Sequence, residues 1–142
     1  MLLVNLSRAQ RFLAIAYLIT APIAVAGAAQ AQDPIVGTWV GTLTQPEMTP
    51  FETRLTFVSP KGGVSRYPTF PCGGILTGDR KGTAYEYEET ISWGGMDENA
   101  QGCIGGLVRI TIDGDTMKFD WSATYNGQES TASGEFHRQG DK

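Results

Sequence analysis

Histidine is nearly absent from this chain: among its 142 residues there is only His137, five residues before the end. A serine–histidine–acid triad would have to use that terminal residue, and no Gly-x-Ser-x-Gly turn accompanies it. Cysteine is scarce as well, with Cys72 and Cys103 alone. Two such ligands fall short of the set that zinc takes. Their wide separation is not the C-x-x-C spacing of a redox pair. A phosphate loop is missing too, because Gly73-Gly74 and Gly105-Gly106 lack a following helix to hold an anion. Asp97-Glu98-Asn99 and Asp113-Gly114-Asp115 offer oxygens to calcium, but neither run supplies a full coordination shell. Beyond residue 32 nothing is apolar for long enough to span a bilayer, and no segment carries a helical stripe. This inventory predicts no catalytic residue, no metal and no cofactor.

Positive charge is also in short supply, and more so than the whole chain suggests. The formal net charge is −4, from 11 lysines and arginines against 15 acids. Residues 1–31 have the three parts of a secretory signal. Arg8 and Arg11 come first, the apolar run Phe12 to Ala26 follows, and Ala29-Gln30-Ala31 is a small-x-small cleavage site. The run is short for a membrane anchor and contains Pro22. Cleavage leaves residues 32–142 as one domain, with nine basic residues against the same 15 acids, so about −6. So acidic a chain has little with which to neutralise phosphates, which argues against nucleic acid and anionic lipid as partners. The expected product is a soluble bacterial protein of the periplasm or the medium, with no membrane insertion after cleavage. In that oxidising setting the even pair Cys72 and Cys103 reads as a disulfide.

What the sequence does contain is alternation. Trp39, Gly41 and Leu43 alternate with Val40 and Thr42, and Phe51, Thr53, Leu55 and Phe57 alternate with polar residues. The same period of two runs through Tyr85 to Trp93, Val108 to Ile112, Met117 to Tyr125 and Gln128 to His137. Turn chemistry falls between these runs: Ser59 to Gly63, Gly78 to Gly82, Asp113-Gly114-Asp115 and Asn126-Gly127. Short strands near 64–67 and 74–78 bring the total to seven or eight. Such short connections join antiparallel neighbours. The fold class is therefore all-β, a small antiparallel up-and-down β-barrel with one disulfide, since closure removes exposed edges. A β-sandwich is the alternative.

Three segments carry a family resemblance: Gly37 to Pro46, Tyr67-Pro68-Thr69-Phe70-Pro71-Cys72-Gly73-Gly74, and the region from Glu89 through Cys103-Ile104-Gly105-Gly106 to Trp121. In this order they resemble small secreted bacterial β-domains with a Y-P-x-x-x-C-G-G signature and a second cysteine before a short strand. Such domains also form the extracellular part of some actinobacterial serine/threonine kinases. The resemblance implies a ligand-sensing or partner-binding exodomain with no established activity. Gly37-Thr38-Trp39 in the first strand also resembles avidin-like and lipocalin-like barrels, where the indole closes one end. No biotin-contacting set matches position by position.

Glu89 is the residue that alternation makes informative. It shares a face with Tyr85, Tyr87, Ile91 and Trp93, and a carboxylate on an apolar face needs a partner or a proton. Arg66, Arg109 or tyrosine hydroxyls are the candidate partners. An alternative role is the polar anchor of an aromatic-lined cavity. The expected ligand-binding set is Tyr85, Tyr87, Glu89, Trp93 and Trp121, suited to a sugar, a small amine or an apolar metabolite. The long loop Gly94 to Gly106 would rim the mouth, with Tyr67, Phe70, Met96 and Ile104 as exposed loop contacts. Those four could instead dock a protein partner. A hydrolase using paired carboxylates among Glu88, Glu89 and Asp97 is the third possibility. The loop that a Cys72–Cys103 bridge would close gives a first expectation. Replacing both cysteines by alanine lowers unfolding free energy in urea by roughly 3–4 kcal/mol.

Overall fold

In the computed structural model of the protein, residues 31–140 are described. The proposed export signal lies outside them, apart from Ala31. The chain forms eight strands: β1 Gly37–Thr44, β2 Phe51–Ser59, β3 Gly62–Tyr67, β4 Cys72–Lys81, β5 Ala84–Trp93, β6 Gly106–Asp113, β7 Thr116–Tyr125 and β8 Gln128–Arg138. Each pairs antiparallel with the next, and β8 returns to β1, so the sheet closes into a barrel. The closing seam runs from Trp39 opposite Arg138 to Thr44 opposite Ser133. No helix occurs among the described residues. Cys72 and Cys103 form the disulfide.

Alternation decides which residues fill the barrel. Leu55, Phe57, Tyr85, Tyr87, Ile110, Met117, Phe119 and Phe136 are all buried inside it. Most of their outward neighbours are polar, as with Glu86 and Lys118, although Val58 beside Phe57 is exposed. The interior is not uniform along its axis. On β7, Met117 and Phe119 are fully buried, Trp121 and Ala123 are half-buried, and Tyr125 is exposed. One end of the barrel is thus filled and the other open.

The filled end is sealed by residues 33–36 just before β1. Trp39 donates its indole N–H to the Ile35 carbonyl at 2.8 Å. Asp33 accepts from the Ile35 amide at 3.0 Å and from the Tyr85 hydroxyl at 2.6 Å. Arg138 donates to the Val36 and Pro34 carbonyls and lies 4.3 Å over the Trp39 ring. A guanidinium over an indole gains from the ring quadrupole while its fork satisfies carbonyls.

Two turn expectations shift. The segment Ser59–Gly63 reads as a loop, yet β2 runs to Ser59 and β3 starts at Gly62. Likewise β4 continues to Lys81, so Gly78 lies inside a strand rather than in a turn. Gly78 is there because of close approach. A Cβ at this position would sit 2.0 Å from the Glu86 carbonyl oxygen and 2.8 Å from the Tyr87 ring. The Asn126-Gly127 turn does follow its residues, with positive φ at both positions. Gly78→Ala therefore destabilises by about 1–3 kcal/mol through overpacking against backbone. A urea midpoint that falls at unchanged m-value is the expected reading.

Candidate functional site

At the open end the barrel holds a cavity of about 660 Å³. Its wall comes from β1, β2, β3, β4, β5, β7 and β8, and its rim from the loops after β1, β3 and β5. Leu43, Phe51, Tyr67, Phe70 and Trp121 supply apolar and aromatic surface. Phe51 meets Phe70 edge-on with centroids 5.0 Å apart, and meets Tyr67 at 6.2 Å. The loop between β5 and β6 is held from within and from below. The Met96 amide donates to the Cys103 carbonyl and the Cys103 amide to the Gly94 carbonyl, both at 3.0 Å. The disulfide ties it to Cys72 at the start of β4.

Glu89 forms part of the cavity wall and is only 3% exposed. Its Oε1 accepts from the Ser65 hydroxyl and from the Tyr67 hydroxyl, the latter at 2.6 Å. Ser65 is itself fixed, because its Oγ accepts the Gly74 amide at 3.0 Å. The Trp121 indole also reaches the carboxylate as a donor. No ion pair to Glu89 occurs among the described residues. Burial pushes the Glu89 pKa up, and it outweighs the lowering by Ser65, Tyr67 and the nearby Trp121 indole. Burial also raises the Tyr67 pKa, and the adjacent carboxylate adds to that. Tyr67 is therefore a dependable neutral donor.

The structure brings together residues from both expected sets. Glu89 and Trp121 line the cavity with Tyr67, Phe70, Met96 and Ile104. Those last four are not the exposed contacts expected: Tyr67 is buried and the other three are half-buried, turned toward the cavity. Tyr85 and Tyr87 lie elsewhere, in the filled half. Tyr85 bonds Asp33, and Tyr87 donates to the Pro60 carbonyl at 3.0 Å. Burial and the Asp33 carboxylate push the Tyr85 pKa up to about 12.

Trp93 needs a correction. Strict alternation puts it inward with Glu89, but it is 44% exposed on the outer surface. The cause is a bulge: Gly73 pairs with Trp93 while Gly74 pairs with Ile91, so Ser92 is an extra residue. One inserted residue reverses the facing of everything after it. Outside, Trp93 lies 5.8 Å beneath the Arg66 guanidinium. Arg66 is thus not the partner of Glu89, and neither is Arg109, which pairs with Glu86 at 2.8 Å. Of the alternatives, the tyrosine hydroxyl is the partner found.

Ser65 and Met48 were not among the expected residues: Ser65 sits on the short strand β3, whose glycines hide its alternation, and Met48 lies in an irregular loop. Tyr67 was expected as a loop contact and instead lies on β3. The Tyr67-Pro68 signature marked the segment but not its partner. The single histidine, His137, is on the outer face of β8, 3.6 Å from Glu135. No group of three or more metal-ligating side chains occurs among the described residues.

No family model matches the chain, and no curated protein matches it either. Among solved structures, the crystal structure of Rv2717c from M. tuberculosis resembles it at 19% identity and a TM-score of 0.42. That alignment covers 75% of this chain and 94% of the other. At this distance the likeness bears on no question of function.

The raised Glu89 pKa has a thermodynamic consequence. The folded protein holds this proton more tightly than the unfolded chain, whose carboxyl titrates near about 4.3. The stabilising contribution is complete below that value and is lost as pH rises through the folded pKa. Glu89→Gln keeps the acceptor oxygen and removes the charge. The variant is expected to gain melting temperature over the parent at pH 8 and to lose that advantage by pH 4, in parallel thermal scans.

Proposed function

We propose that this is a secreted, non-enzymatic binding protein whose ligand is a small molecule held in the open end of the barrel. The observation that carries this reading is the pairing of a sizeable cavity with Glu89 in its wall. A buried carboxyl that takes no salt-bridge partner costs stability, and proteins keep such groups where they serve a site. The volume and the apolar lining with few polar groups fit a drug-sized or smaller ligand. Oxidising export compartments favour disulfides, which agrees with a periplasmic or extracellular location.

The reading of the same end as a protein-docking surface is weaker. Phe70, Met96 and Ile104 turn toward the cavity rather than forming an outward patch. A hydrolytic reading has one observation in its favour. Asp97 also lines this cavity, and hydrogen bonds from the Gln101 and Asn99 amides hold its pKa below the usual range while that of Glu89 is raised. Opposed shifts are the pattern of an acid and base pair. Asp97, however, uses Oδ1 to accept both amides and so closes its own turn.

Native mass spectrometry of the protein purified from its export compartment tests the binding reading. Ala132, inward on β8 and part of the cavity wall, is the site for a filling variant. The parent is expected to carry a small-molecule mass adduct that Ala132→Phe has lost, with the far-ultraviolet spectrum of the barrel unchanged. A bare parent that also binds nothing from a metabolite library overturns the reading. Turnover of chromogenic glycosides that disappears in Glu89→Gln would favour the hydrolase instead.

A further inference from the structure

The charged residues that line the open end are of one sign. The charged residues lining the cavity are Glu89 and Asp97. A side recess shares Glu89 with it and adds Glu88 and Glu129, and no lysine, arginine or histidine lines either space. The loops at this end tell the same story. Residues 45–50, 68–71, 94–105 and 126–127 contain Glu47, Asp97 and Glu98 and no basic residue. Three basic side chains stand at the other end, where Lys61 pairs with Asp79, Arg80 with Asp33 and Arg138 with Asp115, while Arg66 lies on the outer surface against Trp93. An acidic mouth over low-dielectric walls concentrates cations and repels anions.

Glu89 adds a local reason. The donors to Glu89 are neutral, the hydroxyls of Ser65 and Tyr67 and the Trp121 indole, and Glu89 lines the cavity without an ion-pair partner among the described residues. The unmet need in this site is for a charged donor. No basic side chain reaches it: Arg66 is engaged with Trp93 and the Ser65 carbonyl, and Arg109 with Glu86. Around Glu89 stand the aromatic faces of Phe51, Tyr67, Phe70 and Trp121, which attract a cation through their quadrupoles. The remaining wall is aliphatic or thioether, from Leu43, Met48, Met96 and Ile104, and would shelter an apolar body.

We propose that the cavity selects an apolar organic cation, an amine whose ammonium group meets the Glu89 carboxylate and whose hydrocarbon or aromatic body fills the ring of Phe51, Tyr67, Phe70 and Trp121. This rests on the binding reading above and narrows it to one ligand class. Sugars and neutral metabolites lack the charge that the acidic mouth rewards, and carboxylates are excluded by it.

Three matched probes separate the possibilities: 2-naphthylmethylamine, 2-naphthylmethanol and 2-naphthoate. Each is titrated at pH 7.5 into the 15N-labelled protein, with the Trp121 indole signal as the readout and Trp39 and Trp93 as internal controls. The amine is expected to shift the Trp121 signal and to bind about tenfold or more tighter than the alcohol, with the carboxylate silent. Glu89→Gln is expected to bring the amine down to the level of the alcohol. Raising the salt weakens the amine alone, because the acidic rim is screened. An alcohol that binds as well as the amine, or a carboxylate that binds better, overturns the cationic class and leaves the cavity as a binding site. No shift of the Trp121 signal with any probe overturns the proposal, and together with a bare native protein it overturns the binding reading as well. The three probes are compared on the unaltered protein, so the result stands even where the variant does not fold.

Discussion

The pairing of β8 with β1 is the constraint on which the rest depends. It turns a meander of eight strands into a ring and so gives the chain an inside. Without it, β1 and β8 would each present a row of unpaired amides and carbonyls. The inward positions would face solvent on one side instead of each other. The seam also brings Arg138 beside Trp39, where one guanidinium stacks on the indole and ties down the carbonyls of Pro34 and Val36. Closing the ring and sealing one end are thus parts of the same arrangement.

An eight-stranded ring is just wide enough for side chains to fill it. Here they fill half. Phe57, Tyr85, Tyr87, Phe119 and Phe136 occupy the sealed half, with Phe57 and Tyr87 centroids 5.3 Å apart. Toward the open end the inward residues become smaller or polar, through Gly134 and Ala132 on β8 and Ser65 on β3, and space remains. Glu89 occupies the boundary between the packed half and the open one. The hydroxyls of Ser65 and Tyr67 make its position tolerable without cancelling its charge. The disulfide and the small ladder inside residues 94–105 then hold a long loop over that space, where a free loop of this length would lose too much entropy on ordering.

Much of the fold was legible residue by residue. Alternation at Phe51, Thr53, Leu55 and Phe57, and again at Met117 and Phe119, named both the strands and their inner face. Asn126-Gly127 named a turn because its φ values are positive. Legibility ended where parity ended. Ser92 carries no mark of being an extra residue, yet it turns Trp93 outward. Gly78 resembles a turn glycine, and only the nearness of the Glu86 carbonyl shows why it is needed. At the site, Glu89 stood out as an acid on an apolar face. Its partners did not, because Tyr67 lies 22 residues and Ser65 lies 24 residues away along the chain.

The sequence by itself determined the all-β class, a count of seven or eight strands, the two cysteines available for a bridge and an acid on an apolar face. Those properties depend on local period, on turn conformers and on solvation, which neighbouring residues decide. The tertiary structure alone decided which end of the barrel is open, which aromatics surround Glu89 and which donors it takes. Those depend on register around a closed ring and on one bulge, and both are set by contacts between residues far apart in the chain.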